Sequence, residues 1–384
     1  MKKIAVIFGT RPDTIKMAPI IKALSEMPQH FKVLTIATAQ HRQMLDQVLD
    51  VFKIKPDYDL NIMQPRQTLA TVTSKTITGL DEILEKENPD MVLVQGDTST
   101  TFVGSLAAFY RQIPVGHVEA GLRTNDPKNP FPEEINRRLT SVMTDLHFAP
   151  TDTARKALLK EGYRPETIFV TGNTVVDALG YSVKKNFHFS TERLNQIVAE
   201  RKKIVLVTMH RRENWGKPME GAANAVKRLS KRYPDYNFVF PVHLNPVVRD
   251  IVYPILQDIA NVALIEPLDY LDFVNIMALS HLILTDSGGV QEEGPAFGIP
   301  ILVLRHVTER PEAVEYGTVK LVGLDEELIY QTAIELFENE DSYKKMANAV
   351  NPYGDGQAAI RHCKIIANYF GLTHEKVDEF IPKK

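Results

Sequence analysis

Residues 282–300 set an apolar, β-prone run directly before Asp286-Ser287-Gly288-Gly289, and Glu292 and Glu293 follow in the helix that this turn opens. Glycines let a backbone approach a ligand closely, and the free N–H groups at a helix start attract phosphate. A carboxylate facing phosphate would repel it, whereas one placed a turn further along suits the neutral hydroxyls of a ribose. A nucleoside diphosphate meets both conditions; an ordinary βα turn fits the same residues with no ligand at all. Elsewhere Gly9-Thr10-Arg11-Pro12 opens a helix with Lys16 one turn on, so Arg11 and Lys16 can face one anion. Asp97 follows Gly96 at the end of another apolar run, either as a ligand-facing acid or as a helix cap. Glu119 closes a mostly apolar run before Ala120-Gly121, a setting in which ionisation is tightly controlled. Glu133 and Glu134 stand in the first turn of a helix, where acids also complement the helix dipole. His210 and His243 each come just after a strand-like run. With no HxH, HExxH or Cys/His cluster beside them, no metal site is expected.

These residues need strands to deliver them. Short aliphatic runs occur at 4–8, 32–37, 91–95, 115–119, 147–149 and 168–171, and again at 203–208, 237–241, 262–265, 282–285, 301–304 and 320–322. Segments of helical spacing, such as 15–27, 68–88 and 98–111, lie between them. This alternation predicts two doubly wound α/β domains, each a parallel sheet of about six strands covered by helices on both faces. The boundaries expected are 1–172 and 173–360, with a charged hinge region at 182–202. In such sheets ligands collect at the carboxyl ends of the strands, where Asp97, Glu119, His210, His243 and the turns at Gly9 and Ser287 fall.

Composition narrows the function. A hydrophobic share of 44% and a charged share of 24% fit a globular protein. A formal net charge of −3 gives no basic footprint for nucleic acid. The single cysteine, Cys363, excludes an intrachain disulfide. Met1-Lys2-Lys3 and the apolar run after it imitate a leader, but Gly9-Thr10-Arg11-Pro12 ends that run too early, so a first buried strand and a cytoplasmic protein are expected. No run reaches membrane-spanning length. There is no GxxxxGK[ST], no GxGxxG after a strand and no GxSxG, which argues against a P-loop nucleotidase, a bound dinucleotide and a serine hydrolase.

In order along the chain stand Gly9-Thr10-Arg11-Pro12 with Lys16-Met17-Ala18-Pro19, Gly96-Asp97-Thr98, and His117-Val118-Glu119-Ala120-Gly121-Leu122-Arg123. Pro132-Glu133-Glu134 with Asn136-Arg137, His210-Arg211-Arg212-Glu213, Asp286-Ser287-Gly288-Gly289 with Gln291-Glu292-Glu293, and Arg310-Pro311-Glu312 follow. Together they resemble the bacterial non-hydrolysing UDP-N-acetylglucosamine 2-epimerases over nearly the whole chain. The resemblance implies a glycosyltransferase-B fold, two Rossmann-like domains with a cleft between them, and a C-terminal helix from about 361–384 returning to the first domain. It implies a cytoplasmic, homodimeric isomerase that interconverts UDP-N-acetylglucosamine and UDP-N-acetylmannosamine and needs no cofactor. It further implies that UDP leaves, a 2-acetamidoglucal forms and UDP adds back, and that the product feeds a cell-surface polysaccharide or teichoic acid linkage.

By the same resemblance Asp97, Glu119, Glu133 and His210 are catalytic, with Asp97 and Glu133 favoured for proton transfer and Glu119 as the partner that sets their charge states. Arg11, Lys16, Arg310 and Ser287-Gly288-Gly289 hold the diphosphate with His210, Glu293 takes the ribose, and Phe273 packs on uracil. Leu268 stands where some members have glutamine before Asp269-Tyr270, and Met209 replaces a smaller residue. Gln40, His41, Gln43, Arg66, Glu134, Arg212 and His243 resemble a second UDP-N-acetylglucosamine site that activates some members. Two other classes stand beside this reading: a glycosyltransferase of the same fold, which requires an acceptor, and a UDP-sugar sensor, which does not turn over. Hydrolysing relatives share the chemistry but usually carry a fused kinase domain.

Overall fold

The computed structural model describes residues 1–38, 42–63 and 67–382, without the side chains of 42–44. Two compact units emerge, Met1–Tyr181 with Tyr353–Ile381, and Ser182–Pro352. Each is built on one parallel sheet.

In the first unit the strands are β1 (Lys2–Phe8), β2 (Phe31–Ala37), β3 (Tyr58–Asp59), β4 (Met91–Gln95), β5 (Val115–Val118), β6 (Leu146–Ala149) and β7 (Ile168–Val170), in the order β3-β2-β1-β4-β5-β6-β7. The aliphatic runs become strands because both of their faces are covered. Ile4, Val6 and Phe8 join one apolar cluster with Met17, Ile20 and Leu24, while Ala5 and Ile7 join another with Leu80, Leu84 and Ala107. The edge strand β3 raises this sheet above the expected six. Tyr58 and Asp59 carry no apolar run; they are placed by Asp57, which accepts the Thr35 N–H at 2.7 Å, and by Leu60 N–H on Ala37 O at 2.9 Å.

The second unit holds β8 (Lys203–Thr208), β9 (Tyr236–Pro241), β10 (Val262–Ile265), β11 (Ser280–Thr285), β12 (Ile301–Val303) and β13 (Val319–Leu321), in the order β10-β9-β8-β11-β12-β13. Val205, Val207, Phe238 and Phe240 anchor its core. The expected hinge region contains a helix, Glu192–Ala199, whose Leu194 and Ile197 are buried.

The junctions differ from the sequence boundaries at 172 and 361. Helix Thr174–Ser182 stays with the first unit, because Asn173 N–H donates to Tyr353 O at 2.6 Å and Asp177 accepts the N–H groups of Ala358 and Ala359 at 3.3 and 2.8 Å. Helix Ala358–Tyr369 then lays Ala359, Cys363 and Ile366 into the same cluster as Met17 and Ile20.

In both sheets the chain reverses direction across one gap, between β1 and β4 in the first and between β8 and β11 in the second. The loops after those strands diverge and leave a crevice at the carboxyl edge. The polar residues of interest lie there.

Candidate functional site

At the first gap, Gly9 lets the backbone pass close to β4's following helix. A Cβ on Gly9 would stand 2.2 Å from Thr100 Oγ1 and 2.4 Å from Thr38 Oγ1, so no side chain fits. Thr10 caps helix Arg11–Ser25, and Pro12 sits in its first turn. Arg11 is half-buried, and its guanidinium has no partner among the described residues. One turn on, Lys16 forms an ion pair with Glu119.

Glu119 is held by three donors. Its backbone takes φ +64°, a left-handed conformation that costs a non-glycine residue about 1–3 kcal/mol. Oε1 accepts from Lys16 and from Asn173 Nδ2 at 3.1 Å, and Oε2 accepts from Gln95 Nε2 at 2.5 Å. Such a set of donors holds the carboxylate in one orientation and offsets the backbone cost.

Asp97 is placed differently. Its carboxylate pairs with Arg137, its carbonyl accepts Asn136 Nδ2 at 2.9 Å, and the preceding carbonyl of Gly96 meets His117 Nε2 at 2.7 Å. A carbonyl only accepts, so His117 carries its proton on Nε2. Burial pushes the His117 pKa down to about 3, which keeps the ring neutral. Behind Asp97 lies Asp13, 3% exposed, which accepts the Thr10 N–H at 3.3 Å and the Thr98 hydroxyl at 3.2 Å. Burial pushes the Asp13 carboxyl up to about 7, against the hydrogen bond from Thr10 and with a further push from the Asp97 charge.

Helix Glu133–Val142 brings two acids with opposite fates. Glu133 is half-buried and makes no hydrogen bond or ion pair among the described residues. Glu134 is fully buried, accepts the N–H groups of Thr124 and Asn125 at 3.0 and 3.2 Å, and pairs with Arg137 and Arg138. Burial alone would raise its pKa, but those donors and cations hold it below the usual carboxylate range. Glu134 thus anchors its own loop, with both oxygens engaged.

At the second gap, His210 follows β8 and Asp286 follows β11. His210 Nδ1 lies 3.0 Å from Asp286 Oδ1, and Asp286 also accepts the His210 N–H, the Arg211 N–H and Asn214 Nδ2, each at about 3 Å. Burial works to raise the Asp286 pKa, but the hydrogen bond and charge of His210 and the backbone donors hold it low. A carboxylate on Nδ1 fixes the ring tautomer and leaves Nε2 for a ligand. The His243 ring stacks on His210 with centroids 6.1 Å apart and accepts the Asn245 N–H on Nδ1. Among the described residues no group of His, Cys, Asp and Glu converges as a metal site.

Ser287 begins helix Gly288–Glu293. A Cβ on Gly288 would meet only Arg211 Nη2, at 3.8 Å, and one on Gly289 only Glu293 Oε1 and Ser287 Oγ, at 3.7 and 3.9 Å. The space above the turn is open. Glu292 is buried in an ion pair with Arg310, and Glu293 and Phe273 are half-buried. Arg212 is exposed. Gln40, His41 and Arg66 lie outside the described residues, as does the side chain of Gln43.

The first unit therefore assembles Arg11, Lys16, Asp97, Glu119 and Glu133 at one sheet edge, and the second assembles His210, Ser287-Gly288-Gly289, Glu293 and Arg310 at another. Sequence reading assigned no role to Gln95, Asn173, Asp13, Asp286 or Arg211. Gln95 and Asn173 stand at strand ends and were within reach of the carboxyl-edge rule. Asp13 completes a capping box with Thr10, a pattern that marks a helix start rather than a site, and nothing local singles Arg211 out of the His210-Arg211-Arg212-Glu213 run.

Among known proteins, a UDP-N-acetylglucosamine 2-epimerase of Bacillus subtilis is 54% identical over 385 residues, covering all of both chains. The S. aureus protein MnaA, solved with UDP, matches with a TM-score of 0.88 at 50% identity, covering 99% of this chain and 100% of its own. The UDP-GlcNAc 2-epimerase of Neisseria meningitidis, solved with UDP-GlcNAc, matches with a TM-score of 0.84 at 49% identity, covering 97% and 100%. The fold is the two-domain α/β class of the glycosyltransferase-B type. Residues 22–367 match the family model described as UDP-N-acetylglucosamine 2-epimerase, and the chain belongs to that family.

Proposed function

We propose that this protein is a non-hydrolysing UDP-N-acetylglucosamine 2-epimerase acting in the cytoplasm, and that its product supplies N-acetylmannosamine units for a cell-surface polymer. The observation that carries the reading is the contrast among three carboxylates at the first gap: Glu119 clamped by three donors, Asp97 paired with Arg137, and Glu133 without a partner among the described residues. Proton removal and return at one carbon need two acids in different environments, plus a fixed charge to hold their roles apart.

The C2 proton of an N-acetylhexosamine is not acidic, so its loss is coupled to departure of a good leaving group. A base takes the C2 proton, the freed electron pair forms the C1–C2 double bond, and the C1–O bond breaks with its electrons going to UDP. UDP then attacks C1 of the 2-acetamidoglucal, and C2 receives a proton on the opposite face. Asp97 and Glu133 carry the protons, and Glu119 governs their charge states. His210, fixed by Asp286, stabilises the departing diphosphate with Arg11, Lys16, Arg310 and the Ser287-Gly288-Gly289 turn. Glu293 accepts from the ribose and Phe273 covers uracil. His243 and Arg212 contact a second, activating UDP-N-acetylglucosamine, and Glu134 acts through the loop it holds.

Two copies associate as a homodimer. Supporting this is the outer face of helix Glu133–Val142 and its lead-in, where Phe131, Ile135, Leu139 and Val142 form an exposed apolar stripe.

Incubation with UDP-N-acetylglucosamine alone in deuterated water, followed by proton NMR, tests the reaction. UDP-N-acetylmannosamine carrying deuterium at C2 is expected. A product that keeps its original C2 hydrogen, or no turnover without an acceptor, would refute the reading.

A further inference from the structure

Asn173 stands directly before helix Thr174–Ser182, the last element of the first unit before the chain passes to the second. Its backbone N–H and both side-chain polar groups are engaged. The backbone N–H donates to Tyr353 O at 2.6 Å, the residue at which the chain re-enters the unit. Oδ1 accepts the Val175 N–H at 3.0 Å and caps the helix that follows. Nδ2 donates to Glu119 Oε1 at 3.1 Å.

The backbone beneath Asn173 is held by its bond to Tyr353 and lies in contact with the re-entering segment. Gly172 takes φ +85°, and a Cβ there would stand 3.4 Å from Tyr353 O and 3.5 Å from Gly354 Cα. A Cβ on Gly354 would stand 3.3 Å from Asn173 O. The two segments thus cross in contact, with Val176 also against Gly354, and Asn173 is 4% exposed between them. Its amide has little freedom to turn away from Glu119.

Glu119 needs such a partner. Its left-handed backbone leaves the direction of the side chain to be set by the donors around it. Gln95 and Lys16 come from β4 and the first helix, next to the acid in the fold; Asn173 alone comes from the chain crossing. A helix cap requires only an acceptor, which aspartate or serine supplies equally well. The amide caps the helix with its oxygen and donates to the carboxylate with its nitrogen, a reach that the single, shorter-stemmed oxygen of serine does not span. An aspartate here would set one carboxylate about 3 Å from another, which repels.

We propose that Asn173 is a positioning residue of the epimerase reaction: anchored to the re-entering chain at Tyr353, it fixes the orientation of the Glu119 carboxylate. This inference rests on the epimerase reading, and turnover by the unmodified protein in the same assay tests that reading separately. Asn173→Asp keeps the cap and reverses the interaction with Glu119. Its UDP affinity should match the parent protein and its melting temperature should fall only with the repulsion, while kcat falls about 10- to 100-fold at unchanged KM, the size of loss that misplacement of a reacting group produces. Asn173→Ser, whose hydroxyl also caps, should show the same split and covers the case in which the aspartate variant does not fold. Parent-level kcat in a folded Asp or Ser variant would overturn the proposal. Parallel loss of melting temperature, UDP affinity and kcat in both would reduce Asn173 to a structural cap and overturn it too.

Discussion

Glu133 and Asp97 are assigned the same kind of chemistry, yet their surroundings differ in a way that separates chemistry from stability. Glu133 has no partner among the described residues, so Glu133→Gln removes an ionisable group without breaking a contact. Turnover should fall by about two orders of magnitude or more, with UDP affinity and melting temperature unchanged. Asp97 pairs with Arg137, whose side chain is 10% exposed, so Asp97→Asn leaves a nearly buried cation with a weaker partner. The same loss of turnover should then come with about 1–3 kcal/mol of destabilisation in urea titration. Turnover near normal in either variant would mean that the proton carriers are other residues; equal stability of the two would mean that the Asp97–Arg137 pair contributes nothing to the fold.

The elements were legible in the sequence to the extent that burial imposes a pattern. β1, β4 and β11 are covered on both faces, so each reads as a continuous aliphatic run. β3 escaped because two residues held at a sheet edge by backbone bonds and Asp57 need no apolar signature. The carboxyl-edge rule located Asp97, Glu119 and His210, since position along a strand is a local property. Their partners were not local. Asn173 lies 54 positions from Glu119, and Asp286 lies 76 from His210; only the fold makes them neighbours. Nor does any residue type announce the positive φ at Glu119.

Helix Ala358–Tyr369 shows a similar long-range dependence, because its first N–H groups are capped by Asp177 rather than by a residue of its own. Burial pushes the Asp177 carboxyl up to about 6, well above the ordinary aspartate value, against the hydrogen bonds of Ala359 and Ala358. A carboxyl whose pKa is raised on folding binds its proton more tightly in the folded chain. Its contribution to stability is therefore full below about pH 4 and is lost as the pH rises through about 6. Asp177→Asn keeps an acceptor for the helix but cannot titrate. The stability of the parent protein relative to this variant should rise on going from pH 7 to pH 4.5, by about 1 kcal/mol or more in urea titration. A difference that stays constant, or moves the other way, would show that Asp177 is not held with a raised pKa.

At the scale of the whole molecule, helix Glu133–Val142 connects assembly to chemistry. Its inward residues Asn136 and Arg137 hold Asp97, while Ile135, Leu139 and Val142 point outward, 38%, 43% and 73% exposed. Phe131 continues the stripe at the helix start, and Phe109 and Tyr110 expose further apolar surface at the end of helix Ser99–Tyr110, which neighbours it. Large side chains spaced by three and four residues along one exposed helix face are costly in water unless covered. A second copy covers them most simply, since a two-fold axis lets the same stripe meet itself. Sedimentation equilibrium of the parent protein should give twice the mass of one chain. The double substitution Leu139→Glu with Val142→Glu should give the mass of one chain, because four like charges would face each other across the axis. Both positions lie away from the acids, so UDP should still bind to the single chain. Turnover, however, should fall with dissociation if covering the outer face of this helix steadies Arg137 against Asp97. A parent protein that sediments as one chain at assay concentration, or a doubly substituted protein that still sediments as two, would exclude this face as the dimer contact.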